Sequence, residues 1–252
     1  MDVGATIACP YRRNHEVVST QLNIDLTGGK AGAHSPGIAA AVEKLSSASG
    51  TESRGAIFTK VEVVEFILDL LGYTENKPLH KFRLLEPSFG GGDFLLPAVG
   101  RLITAWRAAM TPVNEFEELG DAIRAVELHR ETFHETRLEV IRVLRRSGIP
   151  KAIAVSLADR WLIQGDFLLE AQGGAFDFVV GNPPYVRQEM IPAPLLAEYR
   201  SRYRTMFDRA DLYIPFIEKS LSLLSSGGHL GFICADRWMK NKYGGPLRQL
   251  IS

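Results

Sequence analysis

The sequence predicts a doubly wound α/β fold with a mostly parallel sheet. From about Val61 to the end of the chain, short apolar segments of strand length alternate with longer segments of helical period. Glycine-rich or polar residues follow several of the apolar segments, as expected where a strand ends in a loop. Strands separated by helices pair in parallel, with helices on both faces and ligand sites at the carboxyl ends of the strands.

The helices of this series are predicted from apolar residues that recur on one face and from the glycines that follow them. They run from Val61 to Gly72, from Gly92 onward, from about Arg130 to Gly148, and from about Ala210 to Leu224 with an end at Ser225-Ser226-Gly227-Gly228. The intervening apolar segments predict strands over Phe82–Leu85, Ala122–Val126, Trp161–Gln164, Phe176–Val180 and Leu230–Ala235.

Residues 1–54 differ in composition and predict an N-terminal extension of helical or irregular structure before a main domain over residues 55–252. Gly28–Gly32 is loop-like, and Ser46–Gly50 is typical of a linker. Between them, Ser35-Pro36 is placed to begin a short helix that continues through Ala41 to Leu45.

Composition excludes several classes of protein. No apolar run approaches the roughly 20 residues of a membrane-spanning helix, and no secretion signal opens the chain, so we expect a cytoplasmic protein without a membrane partner. Cys9 and Cys234 stand alone and the six histidines are scattered, so we expect no metal site.

The formal net charge is zero, from 29 basic and 29 acidic residues, which is unusual for a complete DNA-binding protein. Local patches matter more than the sum. Two basic clusters stand out, although charge pattern alone fits solvated helix faces equally well. They are Arg200, Arg202, Arg204 and Arg209, and then Arg237, Lys240 and Lys242.

The sharpest functional signal is Asn182-Pro183-Pro184-Tyr185, directly after the apolar strand Phe176–Val180. Asn-Pro also occurs as an ordinary strand-ending turn. Two successive prolines, however, fix the backbone and leave rigid carbonyl acceptors at the end of the strand. The Asn182 side-chain oxygen and a proline carbonyl can together accept both protons of an exocyclic amine, and Tyr185 offers a flat face for a ring. This pattern predicts an amine-holding site.

A glycine-rich turn and three acidic residues mark the other predicted strand ends. Glu86-Pro87-Ser88-Phe89-Gly90-Gly91-Gly92 joins a strand to a helix, but the third glycine of the dinucleotide fingerprint is missing, which disfavours NAD and FAD. Glu86 is placed to face a ligand ammonium group. Glu127 ends the next strand, where an acid commonly accepts ribose hydroxyls, and Asp166-Phe167 ends the third, where an adenine can be met. Taken alone, Glu127 or Asp166 would more often be a helix cap or a surface charge.

In this order the motifs resemble those of the gamma-class amino-methyltransferases of restriction-modification systems, which include the TaqI-type and type IIG DNA adenine methyltransferases. The resemblance begins at Gly55-Ala56-Ile57-Phe58-Thr59-Lys60, in which Lys60 replaces the usual proline. It continues through Glu86, Pro87, Gly90 and Gly92, with Ser88-Phe89 in place of the commoner Ala-Cys. Glu127, Asp166-Phe167, the Asn182 motif and Asp211-Leu212-Tyr213 then follow in the order of the family.

The resemblance implies a Rossmann-like S-adenosylmethionine-dependent fold and methylation of the N6 amine of adenine in double-stranded DNA. It implies cofactor contacts from these residues: Phe58, Thr59, Glu86, Pro87, Ser88, Gly90, Gly92, Glu127, Asp166 and Phe167. Asn182, Pro183, Pro184 and Tyr185 would then hold an adenine flipped out of the duplex. It also implies that target recognition belongs to a domain beyond Ser252 or to a separate subunit.

Two other functions remain open at this stage. Asn-Pro-Pro-Tyr also suits an amino-methyltransferase that acts on a protein glutamine or on a guanine in RNA, because the same acceptors hold an amide or an amine. The segment at Thr59 and the segment at Asp211 favour DNA adenine over these substrates. A non-catalytic subunit that only binds the cofactor is disfavoured by the intact four-residue motif.

Overall fold

A six-stranded sheet forms the centre of the protein. The computed structural model describes residues 6–10, 35–47, 58–109 and 114–252. The strands, numbered along the chain, are β1 (Thr6–Pro10), β2 (Leu84–Glu86), β3 (Ile123–Glu127), β4 (Leu162–Gln164), β5 (Phe176–Gly181) and β6 (Leu224–Ile233). The predicted loop at 28–32, most of the predicted linker at 46–50 and residues 55–57 of the first motif lie outside the described residues.

The strand order is β1-β6-β5-β2-β3-β4, with β2 to β6 paired in parallel. From β2 the chain moves outward through β3 to β4 and then returns to the other side of β2 with β5. The order therefore reverses between β2 and β5, and such a switch point opens a crevice at the carboxyl ends of the two strands. The predicted doubly wound, mostly parallel sheet is confirmed.

Helices cover both faces of this sheet. They are α1 (Pro36–Ser46), α2 (Val61–Leu71), α3 (Leu95–Ala108), α4 (Glu115–Leu119), α5 (Arg130–Arg146), α6 (Lys151–Trp161), α7 (Ala193–Arg202), α8 (Tyr213–Ser222), α9 (Arg237–Lys240) and α10 (Gly245–Ile251). Short 3-10 turns lie at Leu79–Lys81, Gln188–Met190 and Lys242–Gly244. Among the described residues, no helix is both long and apolar enough to cross a membrane.

Two hydrophobic cores lie on opposite faces of the sheet. Successive strand residues alternate between them: Leu84 packs in one core and Leu85 in the other, and Ala125 and Val126 divide in the same way. This is the two-residue period of a strand buried on both sides. Helices α2, α3, α5 and α6 cover the first core, and α1, α7 and α8 cover the second.

The predicted N-terminal extension contains both an expected and an unexpected element. The helix predicted from Ser35-Pro36 is confirmed as α1, which lies beside α7. Thr6–Pro10, expected to be helical or irregular, is instead strand β1, which pairs antiparallel with β6 from Thr6 opposite Ile233 to Pro10 opposite His229. A five-residue segment has too little pattern of its own, and the pairing depends on a distant partner strand.

The end of the chain differs from the prediction in a second way. The helix predicted over Ala210–Leu224 is shorter, and β6 begins at Leu224, the last residue of that predicted helix, and runs through the residues expected to form the turn. Between the pairs Phe176–Leu224 and Phe178–His229, β5 advances two residues while β6 advances five. The extra residues of Ser225–Gly228, with Gly227 at φ +79°, form a bulge in the ladder. The polar, glycine-rich segment therefore distorts the strand without ending it.

Other predicted elements match closely. The helix over Val61–Leu71 ends at Gly72, whose φ of +74° is the left-handed conformation that favours glycine. The strands predicted near residues 82, 122, 161 and 176 are β2, β3, β4 and β5 with ends shifted by one or two residues. Trp161 belongs to α6 rather than to β4. The helices α4, α6, α7, α9 and α10 were not predicted.

The close approach of α2 to β6 gives a test of the packing. A Cβ atom on Gly231 would lie 2.7 Å from Leu71 Cδ1 and 2.9 Å from Ile67 Cγ2. We expect Gly231→Ala to lower the free energy of unfolding in urea by about 1–3 kcal/mol, because overpacking forces the helix away from the sheet. Gly100→Ala is the control, since a Cβ there meets open space on α3, and it should be neutral or stabilising by up to about 1 kcal/mol. Equal effects of the two changes would contradict this packing.

Candidate functional site

A cavity of about 320 Å³ opens at the carboxyl ends of β2, β3, β4 and β5, at the switch point of the sheet. Its size is at the lower end of the range for small-molecule sites, roughly 300–1,000 Å³. It brings together most of the site residues predicted from the sequence. These are Phe58, Thr59, Glu86, Pro87, Ser88, Gly90, Glu127, Asp166, Phe167, Asn182 and Pro184. Gly92, Pro183 and Tyr185 lie outside the lining of the cavity.

Backbone and side-chain bonds from neighbouring elements hold the glycine-rich turn. Phe89 N donates to Val126 O at 3.0 Å, and the Thr136 hydroxyl donates to Gly90 O at 2.7 Å. Gly92 supports the turn from behind: its φ is +90°, and a Cβ there would lie 2.9 Å from Leu96 Cγ. The predicted role of Gly92 is therefore indirect, because it lets the turn pack closely against α3 and α5.

Glu127 ties the turn to the end of β3. One carboxylate oxygen accepts from Gly90 N at 2.9 Å, and the other accepts from His129 N at 2.7 Å. The side chain is buried, and these two backbone donors offset the loss of water around its charge. Carboxylate oxygens have further lone pairs, so the same group can accept from a ligand at the cavity wall.

Glu86 is also buried, but its carboxylate has fewer hydrogen-bond donors than that of Glu127. Its Oε2 atom finds no hydrogen-bond partner among the described residues. Burial raises the pKa of the Glu86 carboxyl well above its usual range, and the carboxylates of Asp93 and Glu127 raise it further. This wall of the cavity therefore has excess negative charge whenever Glu86 is ionised, which suits a cationic ligand group.

Asp166 lies at the end of the cavity next to β4, and its carboxylate accepts two hydrogen bonds. Leu168 N donates to Oδ1 at 2.8 Å, and the hydroxyl of Tyr199 on α7 donates to Oδ2. Beside it, the Phe167 ring packs on Phe216 of α8, with ring centroids 5.1 Å apart. A buried acceptor next to an aromatic wall is the combination that suits a heteroaromatic ring with an exocyclic amine.

The Asn182 turn meets both the glycine-rich turn and the segment before α2. Asn182 Nδ2 donates to the Thr59 hydroxyl at 3.2 Å, and the Ser88 hydroxyl donates to Asn182 O at 3.4 Å. Thr59 N in turn donates to Asp93 Oδ2 at 2.6 Å. Phe58, the neighbour of Thr59, lines the cavity with 83% of its surface exposed. Thr59 thus links the Asn182 turn to Asp93, which follows the glycine-rich turn, at the mouth of the cavity.

Tyr185 lies beside the cavity rather than in its wall. Its hydroxyl donates to Ile233 O, at the end of β6, at 3.3 Å, and its ring packs on Tyr213 with centroids 5.5 Å apart. The Tyr185 ring is half-buried, and these two contacts fix its hydroxyl and its face. Pro183, which precedes it by two residues, is buried.

Sequence reasoning missed several residues of the cavity wall. Tyr199 lies on α7, which was not predicted, and Leu45 lies on α1, which was predicted as part of the N-terminal extension. His129 and Thr132 follow β3, where the sequence shows no motif. Phe216 stands three residues after Asp211-Leu212-Tyr213, the segment that carries part of the resemblance. No group of three or more potential metal ligands occurs in the described part of the chain.

The two basic clusters are partly neutralised. Arg202 pairs with Glu198 at 2.6 Å, and Lys240 pairs with Asp236 at 3.5 Å. Arg200 donates to Gln188 and to the backbone of Asp208. Arg187, two residues after Tyr185, is exposed. Burial raises the pKa of the Asp211 carboxyl, and the charges of Arg237 and Arg187 oppose that rise.

Comparison with known families identifies relatives of this chain. The family described as Eco57I restriction-modification methylase matches residues 111–252. The type II methyltransferase M.PaeR7I of Pseudomonas aeruginosa is 67% identical over 215 residues, which are 85% of this chain and 38% of that protein. M.XhoI of Xanthomonas vasicola is 56% identical over 202 residues, 80% of this chain and 37% of that protein. The chain therefore spans less than two fifths of the length of these relatives.

Solved structures support the fold. A class I S-adenosylmethionine-dependent methyltransferase structure from Listeria monocytogenes matches with a TM-score of 0.52 at 15% identity, over 84% of this chain and 56% of that one. A nuclease-deletion mutant of the type ISP enzyme LlaGI matches with a TM-score of 0.51 at 17% identity, over 77% of this chain and 22% of that one. At these identities the similarity concerns the architecture.

The unsupported burial of Glu86 gives a prediction about stability. The pKa of Glu86 is higher in the folded state than its unfolded value of about 4.3, so ionisation of this carboxyl destabilises the fold. The loss of stability grows as pH rises from the unfolded pKa to the folded pKa. We expect Glu86→Gln to raise the free energy of unfolding at pH 7 by on the order of 1 kcal/mol or more, since one pKa unit is about 1.4 kcal/mol. The gain should shrink as pH falls towards 4.

Urea unfolding over a pH series measures this effect. Glu135→Gln is the matched control, because Glu135 lines the same cavity but is exposed, and its effect should stay within about 0.5 kcal/mol. A Glu86→Gln protein less stable than the wild type at neutral pH would show that the carboxylate is better satisfied than its surroundings indicate.

Proposed function

The chain belongs to the Eco57I restriction-modification methylase family, as its motifs predict, and from this premise we propose that it transfers a methyl group from S-adenosylmethionine to the N6 amine of adenine in DNA. The observation that carries the proposal is the position of the Asn182 turn. It lies at the mouth of a cavity whose wall holds the carboxylates of Glu86, Glu127 and Asp166. An acceptor for an amine thus stands next to a site that suits a cation.

The cavity wall fits S-adenosylmethionine in its distribution of charge. When bound, this cofactor supplies an electrophilic methyl group on a sulfonium. Glu86, whose Oε2 has no partner among the described residues, faces the positive groups of the amino acid part. Glu127 accepts from the ribose hydroxyls with the lone pairs that its two backbone donors leave, and Asp166 with Phe167 receives the adenine. Phe58 and Thr59 border the mouth from the other side.

The chemistry at the target amine is mostly positioning and electrostatics. The lone pair of the adenine N6 amine is delocalised into the ring, so the amine is a poor nucleophile. Since Asn182 Nδ2 donates to Thr59, the amide Oδ1 is the atom directed to accept from the amine, together with the Pro183 carbonyl. Two such hydrogen bonds localise the lone pair and aim it at the cavity. The bond from N6 to the methyl carbon would form as the bond from that carbon to sulfur breaks, and S-adenosylhomocysteine would leave as a neutral thioether. The extra proton on N6 would pass to water, so no general base or metal enters this scheme.

The target adenine leaves the duplex to reach the turn. We assign stacking of the flipped base to the ring of Tyr185, which its contacts with Tyr213 and Ile233 hold in place. Exposed arginines near the turn, such as Arg187, supply phosphate contacts, which position the duplex without reading its sequence. We assign the main catalytic part to residues 55–252 and the choice of sequence to a further domain or a separate subunit.

Cofactor binding by this chain is the first test. We expect calorimetry to show S-adenosylmethionine binding with release of a fraction of a proton, because burial raises the pKa of Glu86 and a cation favours its ionised form. The affinity should therefore rise with pH, up to the titration of the ligand amine at about 7.7–8.0. Titrations in two buffers of different ionisation enthalpy measure the proton release.

The variants separate this site from unspecific binding. Glu86→Gln should weaken binding by about ten-fold or more and reduce the proton release, because the charge pair is lost. Glu135→Gln, at the exposed rim of the same cavity, should retain both. Absence of binding to the folded wild-type chain at millimolar cofactor would refute the cofactor assignment.

The role of Asn182 is tested by turnover in the native full-length protein. Asn182→Ala should lower kcat for adenine methylation of DNA by about 10²-fold or more, as for loss of a transition-state hydrogen bond, with little change in cofactor affinity. Asn76→Ala, at an exposed turn before β2, is the control and should leave kcat unchanged. Labelled methyl transfer to DNA, RNA and protein substrates measured in parallel identifies the acceptor, and transfer to RNA or protein alone would reject the DNA proposal.

A further inference from the structure

The segment that follows β4, residues 166–170, is held by hydrogen bonds from side chains of neighbouring elements. Lys219 of α8 donates to the carbonyls of Phe167 and Glu170, the latter at 2.6 Å. The Tyr203 hydroxyl donates to Leu168 O, and Arg202 Nη1 donates to Leu169 O at 3.2 Å. Four successive carbonyls of one segment thus accept from α7, its C-cap and α8.

Tyr199 differs from the other members of this network. Lys219, Tyr203 and Arg202 bond to backbone carbonyls, whereas Tyr199 bonds to the side chain of Asp166. Both side chains are almost fully buried, and both line the cavity. Tyr199 therefore acts on the one polar side chain of this segment that is presented to a ligand.

We propose that Tyr199 is a positioning residue that keeps Asp166 an ionised acceptor for a purine 6-amino group, so that the cavity selects adenine nucleosides over their 6-oxo counterparts. This inference rests on the proposed function, in which Asp166 meets the adenine of the cofactor. A carboxylate only accepts hydrogen bonds, so it pairs with an amine and opposes a carbonyl oxygen. A protonated carboxyl would instead donate and would favour the 6-oxo ring.

The surroundings of Asp166 make the choice between these two forms sensitive to Tyr199. Burial raises the pKa of the Asp166 carboxyl, and the hydrogen bonds from Tyr199 and Leu168 N together with the charge of Lys219 oppose that rise. Burial lowers the pKa of Lys219 to about 8, so its charge persists below that pH. The titratable and charged groups that face Asp166 or its partners are Tyr199, Arg202 and Tyr203 from α7 and its end, Glu218 and Lys219 from α8, and Glu170 from the segment itself.

Loss of the Tyr199 hydroxyl therefore has a predictable sign. Without this donor the pKa of Asp166 rises further, and the protonated form persists to higher pH. Binding of a 6-amino ligand then weakens as pH falls, and binding of a 6-oxo ligand strengthens. A purely structural role for Tyr199 would change both ligands alike.

The experiment compares S-adenosylhomocysteine with S-inosylhomocysteine by calorimetry on this chain, between about pH 5.5 and 8. The readout is the ratio of the two affinities. Titration of Glu86 and of the ligand amino group affects both ligands equally and cancels in this ratio. We expect the wild type to favour the adenine ligand by about ten-fold or more at neutral pH and to lose this preference as pH falls.

Tyr199→Phe should lower the ratio by about ten-fold at neutral pH and move its pH midpoint upward. Tyr203→Phe is the matched control, since it removes a phenol that bonds to Leu168 O, and its ratio and midpoint should equal those of the wild type. Circular dichroism establishes that the variants are folded.

Several outcomes would overturn the inference. An unchanged ratio and midpoint in Tyr199→Phe would do so, as would equal changes in Tyr199→Phe and Tyr203→Phe. If Tyr199→Phe does not fold, the wild type decides alone, because a ratio near one at every pH contradicts an ionised acceptor at Asp166. Failure of the wild type to bind either ligand would be a failure of the proposed cofactor site itself, and selective binding without a Tyr199 effect would leave that site intact.

Discussion

The burial of three carboxylates at the ends of three adjacent parallel strands is the constraint on which the rest of the cavity depends. A carboxylate removed from water needs donors or counter-charges, because its desolvation costs several kcal/mol. Glu127 meets this need with two backbone amides, and Asp166 meets it with an amide and a phenol. The positions of the glycine-rich turn and of α7 follow from these bonds.

Glu86 is the member of this group whose charge the protein leaves least compensated. Its place at the centre of the sheet, between the ends of β5 and β3, surrounds it with other strand ends and with the carboxylates of Asp93 and Glu127. A residue retained in such surroundings destabilises the unliganded fold. The same surroundings favour a ligand that carries positive charge, so the local cost in stability and the proposed affinity have one physical origin.

The sequence allowed the sheet and the strand-end residues to be predicted because both depend on local pattern. Apolar strands buried on two faces, such as Phe176–Val180, and the helix closed by Gly72 have strong signals within a few residues. Strand β1 and the bulge at Ser225–Gly228 depend on pairing with a distant partner, which no local pattern encodes. Tyr199 was missed for the same reason: its partner Asp166 is 33 residues away, on a different element.

Thr59 and Tyr199 join the two halves of the site from opposite sides. Thr59 connects Asp93, after the glycine-rich turn, with Asn182, which lies 123 residues after Thr59. Tyr199 connects Asp166 with α7, the first α-helix after the Asn182 turn. The segment from Asn182 to Tyr199 therefore begins at the proposed site for the target amine and ends at the proposed site for the cofactor adenine. The proposed chemistry depends mostly on positioning. A displacement at either end of this segment would therefore change the distance between the amine nitrogen and the methyl group. In the proposed mechanism, hydrogen bonds that lie outside the reacting atoms would therefore contribute to methyl transfer by keeping that distance fixed.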